Sequence, residues 1–227
     1  MKETYRIITI SILLLGTSYN LSAQEIIDKL SKKLCKCIEK QEMKNANEMG
    51  PCFEDLLITN WKEIKEHYKA ETMEDIDMEE VGNKIGAKMI KECPYVLDNF
   101  PSGVVGDDEK VDKQPDLNCE DLKKGDFYYL TERPESGIVD TTFVTISNDM
   151  FLERMKNGKT YSLLNIKWKE NCEFDLVFKE SNDPMKKEFS KNGDVYKYEI
   201  LTNSSKSVFL KTTWMDRSYQ FELIKIK

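Results

Sequence analysis

Leu164 to Phe178 reads LNIKWKENCEFDLVF, and this stretch decides the fold of the C-terminal half. Leu164, Ile166 and Trp168 alternate with Asn165, Lys167 and Lys169. After a short polar break at Asn171, Cys172, Phe174, Leu176 and Phe178 alternate with Glu173, Asp175 and Lys179. An apolar residue at every second position marks two antiparallel strands, each with one buried face. The same period continues on both sides. It predicts strands at Asp126–Thr131, Thr141–Ser147, Met150–Met155, Lys159–Trp168, Cys172–Lys179, Val195–Thr202, Ser207–Trp214 and Ser218–Ile226. Gly137, Asn148-Asp149, Asn157-Gly158, Asn203 to Ser205 and Asp216 supply the turns between them. Pro184 to Asn192 interrupts the series as a short helix or long loop. About eight sequential strands predict an up-and-down antiparallel barrel or a strongly curved sheet over residues 119–227. Alternation also fits an outer-membrane barrel. Strands mostly shorter than that fold uses, and no aromatic girdles, favour an apolar face turned inward.

Upstream the period changes. Ile27, Leu30, Leu34, Cys37 and Ile38 recur at helical spacing. Phe53, Leu56, Leu57, Trp61, Ile64 and Tyr68 form a second stripe behind Pro51, which suits a first helical turn. Met78, Val81, Ile85, Met89 and Cys93 form a third, with Asp77 placed to cap it and Pro94 to end it. Gly82 and Gly86, beside that stripe, are expected to allow close helix packing. Residues 24–100 are therefore a small helical bundle. Residues 101–118, rich in Pro, Gly and charge without an apolar period, are a linker. The whole is an α+β chain in two parts.

The N-terminus carries an address. Lys2 and Arg6 precede the apolar run Ile7 to Leu15, and Leu21-Ser22-Ala23 suits cleavage after Ala23. Residues 1–23 are expected to be a signal peptide, and the protein to be exported, periplasmic or extracellular. Of 34 basic and 41 acidic residues among 227, removal of Lys2, Arg6 and Glu3 leaves 32 and 40 on a mature chain of net charge −8. That acidic, mixed surface argues against nucleic acid as a partner. No further run is long enough to span a membrane. Six cysteines in an exported chain predict disulfides. Cys35 and Cys37 point about 200° apart around a helix and should not bond to each other. Either Cys35–Cys52 occurs with Cys37–Cys93, or Cys35–Cys93 with Cys37–Cys52. Cys119 and Cys172 are expected to pair and tie the start of the barrel across the sheet.

Cys119, Gly125-Asp126-Phe127-Tyr128-Tyr129, Ile166-Lys167-Trp168, Cys172-Glu173-Phe174-Asp175-Leu176 and the Tyr196/Tyr198 strand resemble a group of small exported proteins of Bacteroidetes-type bacteria. That group is pictured as lipocalin-like barrels. The helical half, with Cys-x-Cys, Pro51-Cys52-Phe53 and a late helical cysteine, looks like a cysteine-stapled module of similar exported proteins. The resemblance implies a lipocalin-like β domain and brings no known activity. Lipocalins open on G-x-W, whose tryptophan packs near a late arginine; here Gly125-Asp126-Phe127 stands in that place, with Arg217 as the candidate arginine.

The search for chemistry finds little. The single histidine, His67, lies in a charged helix, so His-based zinc sites and Ser-His-Asp or Cys-His systems lack their parts. Gly103 and Gly106 lie in the linker and make no phosphate loop. Glu173 and Asp175 fall on a solvated strand face, and Asp107-Asp108-Glu109 lacks the spacing of a calcium loop. Cys35-Lys36-Cys37 has no second close pair to complete a metal site. The expectation is a non-enzyme with no cofactor and no metal. What remains is an inward aromatic set: Phe127, Tyr129, Trp168, Phe174, Phe178, Tyr198, Trp214 and Phe221. These rings either fill the barrel or line a pocket for a small apolar or amphipathic ligand. Two functions stand open: such a binding protein, or an envelope module with a packed barrel that engages another protein. An enzyme would need a carboxylate or tyrosine cluster inside a wet cavity.

Overall fold

The structure, a computed structural model, describes residues 18–100, 111–133, 137–214 and 217–226. The basic and apolar parts of the expected signal peptide lie outside the described residues, as do Asp107-Asp108-Glu109 and the turn residue Asp216. The chain divides into two compact units between Phe100 and Pro101. No helix among the described residues is long and apolar enough to cross a membrane.

The helical unit holds α1 (Ser18–Lys40), α2 (Gly50–Thr59), α3 (Trp61–Tyr68), α4 (Met78–Glu92) and α5 (Pro94–Asn99). α1 runs unbroken through the expected cleavage point at Ala23. Its stripe of Ile27, Leu30, Leu34 and Ile38 is buried in one core with Leu56, Ile64, Val81, Ile85 and Met89. Asp77 caps α4 as expected, accepting from the Glu80 N–H. The long helix expected from Phe53 to Tyr68 is instead two. The break falls at Asn60, whose buried side chain donates to the Leu56 carbonyl and accepts from Lys33. A side-chain amide competing for a helical carbonyl is a local alternative to the helix, and an apolar stripe does not reveal it. Pro94 both ends α4 and opens α5, where its missing N–H costs nothing. At Gly82 an added Cβ would meet nothing within 4 Å, so the expected close helix packing does not occur there.

Two disulfides staple this unit in the second of the two open arrangements. Cys35–Cys93 joins α1 to the end of α4, and Cys37–Cys52 joins α1 to α2. The C-terminal unit holds β1 (Lys124–Arg133), β2 (Ile138–Ser147), β3 (Met150–Met155), β4 (Thr160–Trp168), β5 (Glu173–Ser181), α6 (Pro184–Phe189), β6 (Val195–Asn203), β7 (Ser207–Trp214) and β8 (Arg217–Lys225). Each strand pairs antiparallel with the next, and β8 returns to β1 through Phe127↔Lys225 and Tyr128↔Ile224. The sheet is a closed eight-stranded barrel. Asn148 (φ 50°), Asn157 (φ 57°) and Gly158 (φ 80°) adopt the left-handed backbone that their hairpins need.

One end, called lower here, is where β1 begins and β4 meets β5. The upper end carries α6. The Leu164–Phe178 hairpin forms with Trp168 opposite Phe174. Cys172, however, precedes β5 and does not lie on its apolar face. It and Asn171 turn the chain with φ of 61° and 58°. Cys172 bonds Cys119 across 5.8 Å between Cα atoms, the pairing expected, and the bond holds a conformation that costs a non-glycine residue free energy.

The linker reading fails over residues 111–118, which are laid along the barrel. The Val111 N–H donates to Gln220 Oε1 at 2.7 Å, the Gln114 N–H to the Leu201 carbonyl at 2.8 Å, and Asn203 Nδ2 to the Asn118 carbonyl at 2.8 Å. Lys113 adds an ion pair to Glu199 at 3.0 Å. The lipocalin-type aromatic–arginine contact is also absent, because Phe127 sits at the lower end whereas Arg217 opens β8 at the upper end. At the lower end Lys123 lies 5.9 Å from the Trp168 ring centre.

Candidate binding site at the upper end of the barrel

The inward positions change character along the barrel. Near the lower end Phe127, Val144, Ile146, Phe151, Ile166 and Leu223 are buried in one continuous core. Toward the upper end the same strand faces present Tyr129, Thr142, Glu153, Ser162 and Tyr198. Tyr129 O–H on β1 donates to Glu153 Oε1 on β3 at 2.9 Å. Lys186 Nζ, projecting from α6, donates to Glu153 Oε2 at 3.0 Å. Thr142 on β2 hydrogen-bonds the Tyr129 hydroxyl, and Ser190 meets the Tyr196 hydroxyl at 2.6 Å. The polar centre thus draws on four strands and one helix.

Aromatic rings run from this centre into the core. Tyr129 meets Phe221 edge-on at 5.7 Å, Phe221 meets Tyr198 at 6.2 Å, and Tyr198 stacks on Phe174 at 5.2 Å. Phe174 reaches Trp168 at 5.0 Å. The eight rings expected inside the barrel therefore do not line one chamber. Phe127, Phe174 and Phe178 are buried core. Tyr129, Tyr198 and Phe221 are half-buried at the polar centre. Trp168 lies at the lower end, its indole N–H donating to the Asn148 carbonyl. Trp214 ends β7 at the upper rim, 5.1 Å from Phe189 of α6.

Burial and charge shift the two tyrosines and the lysine of this centre. Burial, then the charge of Glu153, raises the Tyr129 hydroxyl well above the ordinary phenol range. The same two causes push Tyr198 up to about 12. Burial is the largest single effect on Lys186 and disfavours its charge, but Glu153, Tyr129 and Tyr198 together outweigh it and keep the ammonium protonated to higher pH than usual. Lys186 nevertheless keeps 37% of its side-chain surface accessible, against 11% for Glu153. The Lys186–Glu153 pair is therefore accessible from the lysine side and closed on the carboxylate side.

α6 is fastened over this end. Asp183 accepts from the Lys186 N–H at 3.2 Å, and pairs with Lys156 at 3.0 Å. Burial alone would raise the Asp183 carboxyl, but Lys156 and that N–H bring it below the ordinary value. A lowered carboxylate contributes stability above its unfolded value of about 4, and that contribution is lost as pH falls through the folded value. Amide exchange at Lys186–Ser190 is therefore expected to stay slow from neutral pH down to about 4 and to accelerate below it. Acceleration already at weakly acid pH would mean that other groups hold α6.

Sequence reasoning missed Glu153 and Lys186. Glu153 follows Phe151 by two, which is the signal for an inward carboxylate, but Met150 and Leu152 make the other face of β3 apolar as well. His67 is half-buried on α3 against Tyr68, held below its ordinary value by burial and by Lys84. Among the described residues no group of three His, Cys, Asp or Glu is placed to hold a metal ion. Asp175 pairs with Lys169 on the outer face. No family model, no curated protein and no solved structure matches the chain, so its own geometry carries the functional reading.

Proposed function

We propose that this is an exported, non-catalytic binding protein whose barrel takes a small amphipathic molecule at its upper end. The observation that carries the reading is the Tyr129–Glu153–Lys186 centre, partly open to water above a dry apolar core. Polar groups at one end of an apolar recess fix the orientation of a ligand that has one polar end. The lower half is filled by side chains, so the reading places the ligand at the upper end. The N-terminal signal pattern and three disulfides support export.

A carboxylate beside tyrosines in a wet recess is also what an enzyme would use. Here both phenols and the ammonium are held far from neutral, so none is poised to exchange a proton at physiological pH. That supports binding over catalysis. Native mass spectrometry of the mature protein is expected to show a co-purified small molecule that leaves on denaturation. A protein of bare mass that takes up no added amphiphile would sink the reading. The competing reading, an envelope interaction module, draws on Ile138, Val139 and Phe143, exposed apolar residues of β2. A partner captured by the wild type and lost with Val139→Ser would favour it.

A further inference from the structure

Of the six cysteines, Cys172 is the one held in a left-handed backbone, with φ of 61° directly after Asn171 at 58°. Cys35, Cys37 and Cys52 lie in helices, and Cys93 and Cys119 have φ of −101° and −115°. A Cβ at a left-handed position crowds its own backbone, so a residue other than glycine stays there only under outside constraint. The constraint here is the bond to Cys119.

The same turn carries the strap of residues 111–118. Lys113 Nζ donates to the Asn171 carbonyl at 2.9 Å as well as to Glu199, and the Leu117 carbonyl oxygen lies 3.4 Å from Cys172 Sγ. The Cys172 carbonyl accepts from the Ile200 N–H of β6 at 2.9 Å. Next to that contact β6 bulges between Ile200 and Thr202. Leu201, the extra residue, is 4% exposed outside the continuous barrel core, and its carbonyl receives the Gln114 N–H of the strap. Bond, turn, bulge and strap are one connected unit.

We infer that Cys119–Cys172 is a redox latch: a dithiol reductant opens it before Cys35–Cys93, the turn leaves its left-handed form, and residues 111–118 come off the barrel and uncover the Leu201 bulge. A thiolate of the reductant attacks the half-buried Cys172 sulfur, and the Cys119 sulfur leaves as a thiolate and takes a proton. The second thiol of the reductant then displaces the Cys172 thiolate, so the reductant ends as a disulfide and the protein carries two thiols. Cys119–Cys172 and Cys35–Cys93 join residues 53 and 58 apart, so chain entropy stabilises the two bonds almost equally. The cost of the left-handed turn falls on Cys119–Cys172 alone.

The test equilibrates the mature wild-type protein in graded ratios of reduced to oxidised dithiothreitol, alkylates it and maps the peptides by mass. Cys119 and Cys172 are expected to be half-reduced at a ratio about tenfold lower than Cys35 and Cys93. Between the two midpoints, amide exchange at Gln114 and Ile200 should accelerate about tenfold or more, with β2 and β3 unchanged. Equal midpoints, or Gln114 and Ile200 still protected once the bond is open, would overturn the inference. Two variants separate a switch in the turn from the loss of a tether. Cys119→Ala with Cys172→Ala removes the bond and keeps a side chain that resists the left-handed form, whereas Cys119→Ala with Cys172→Gly removes the bond and permits that form. The glycine variant is expected to protect the Gln114 amide about tenfold better than the alanine variant. Equal exchange in the two would overturn the role of the turn, and the wild-type titration decides the matter if either variant folds poorly.

Discussion

Replacing Cys35 and Cys93 together by alanine is expected to cost the helical unit about 4 kcal/mol, because the bond closes a long loop in the unfolded chain. The two residues are 58 apart in sequence, whereas Cys37 and Cys52 are 15 apart and their bond is worth about 3 kcal/mol by the same argument. A unit of this size has a total stability on the order of 4–12 kcal/mol, so the longer-loop bond is a large share of it. The midpoint of helical unfolding, followed by circular dichroism, should fall on the order of 20 °C. The barrel has its own core, so amide protection in its strands should persist. A smaller loss for Cys35/Cys93 than for Cys37/Cys52 would contradict the entropic ordering.

Phe174→Ala is expected to cost the barrel about 3–5 kcal/mol. The ring is 2% exposed, stacked on Tyr198 of β6 and packed against Trp168 of β4, so truncation leaves a cavity between the two. Urea unfolding should show a lower midpoint with an unchanged slope. Phe143→Ala, on the outer face, should cost less than about 1 kcal/mol. Equal losses at the two positions would mean that the alternation assigns the wrong face to the core.

That alternation was the most legible feature. β3 and β7 match their sequence-derived bounds at both ends, and the other strands differ by a few residues at their ends. One buried face per strand writes a period of two into the chain, and turns such as Asn157-Gly158 punctuate it. Closure was not legible. It depends on two residue pairs between β1 and β8, almost a hundred residues apart, which no local pattern records. Residues 111–118 are polar because they bind the barrel through backbone and side-chain hydrogen bonds, and composition alone cannot tell that from a free linker. Helical geometry excluded a Cys35–Cys37 bond, but the choice between the remaining pairings was made by the packing of α1 against α4 and α2.

The polar centre was hidden for the same reason as closure. Lys186 lies 33 residues from Glu153, on a helix of six residues that had no sequence period of its own. The aromatic set was visible, and the structure divides it: three rings are core, three border the polar centre, and two tryptophans close opposite ends.

The most direct test is NMR mapping of the mature chain as a medium-chain monoacylglycerol is added. Shifts are predicted at Tyr129, Glu153, Lys186, Tyr198 and Phe221, with Phe127, Val144, Phe151 and Leu223 unmoved. An unchanged spectrum, or shifts confined to the lower core or the helical unit, would contradict a barrel that is filled below and open to a ligand above.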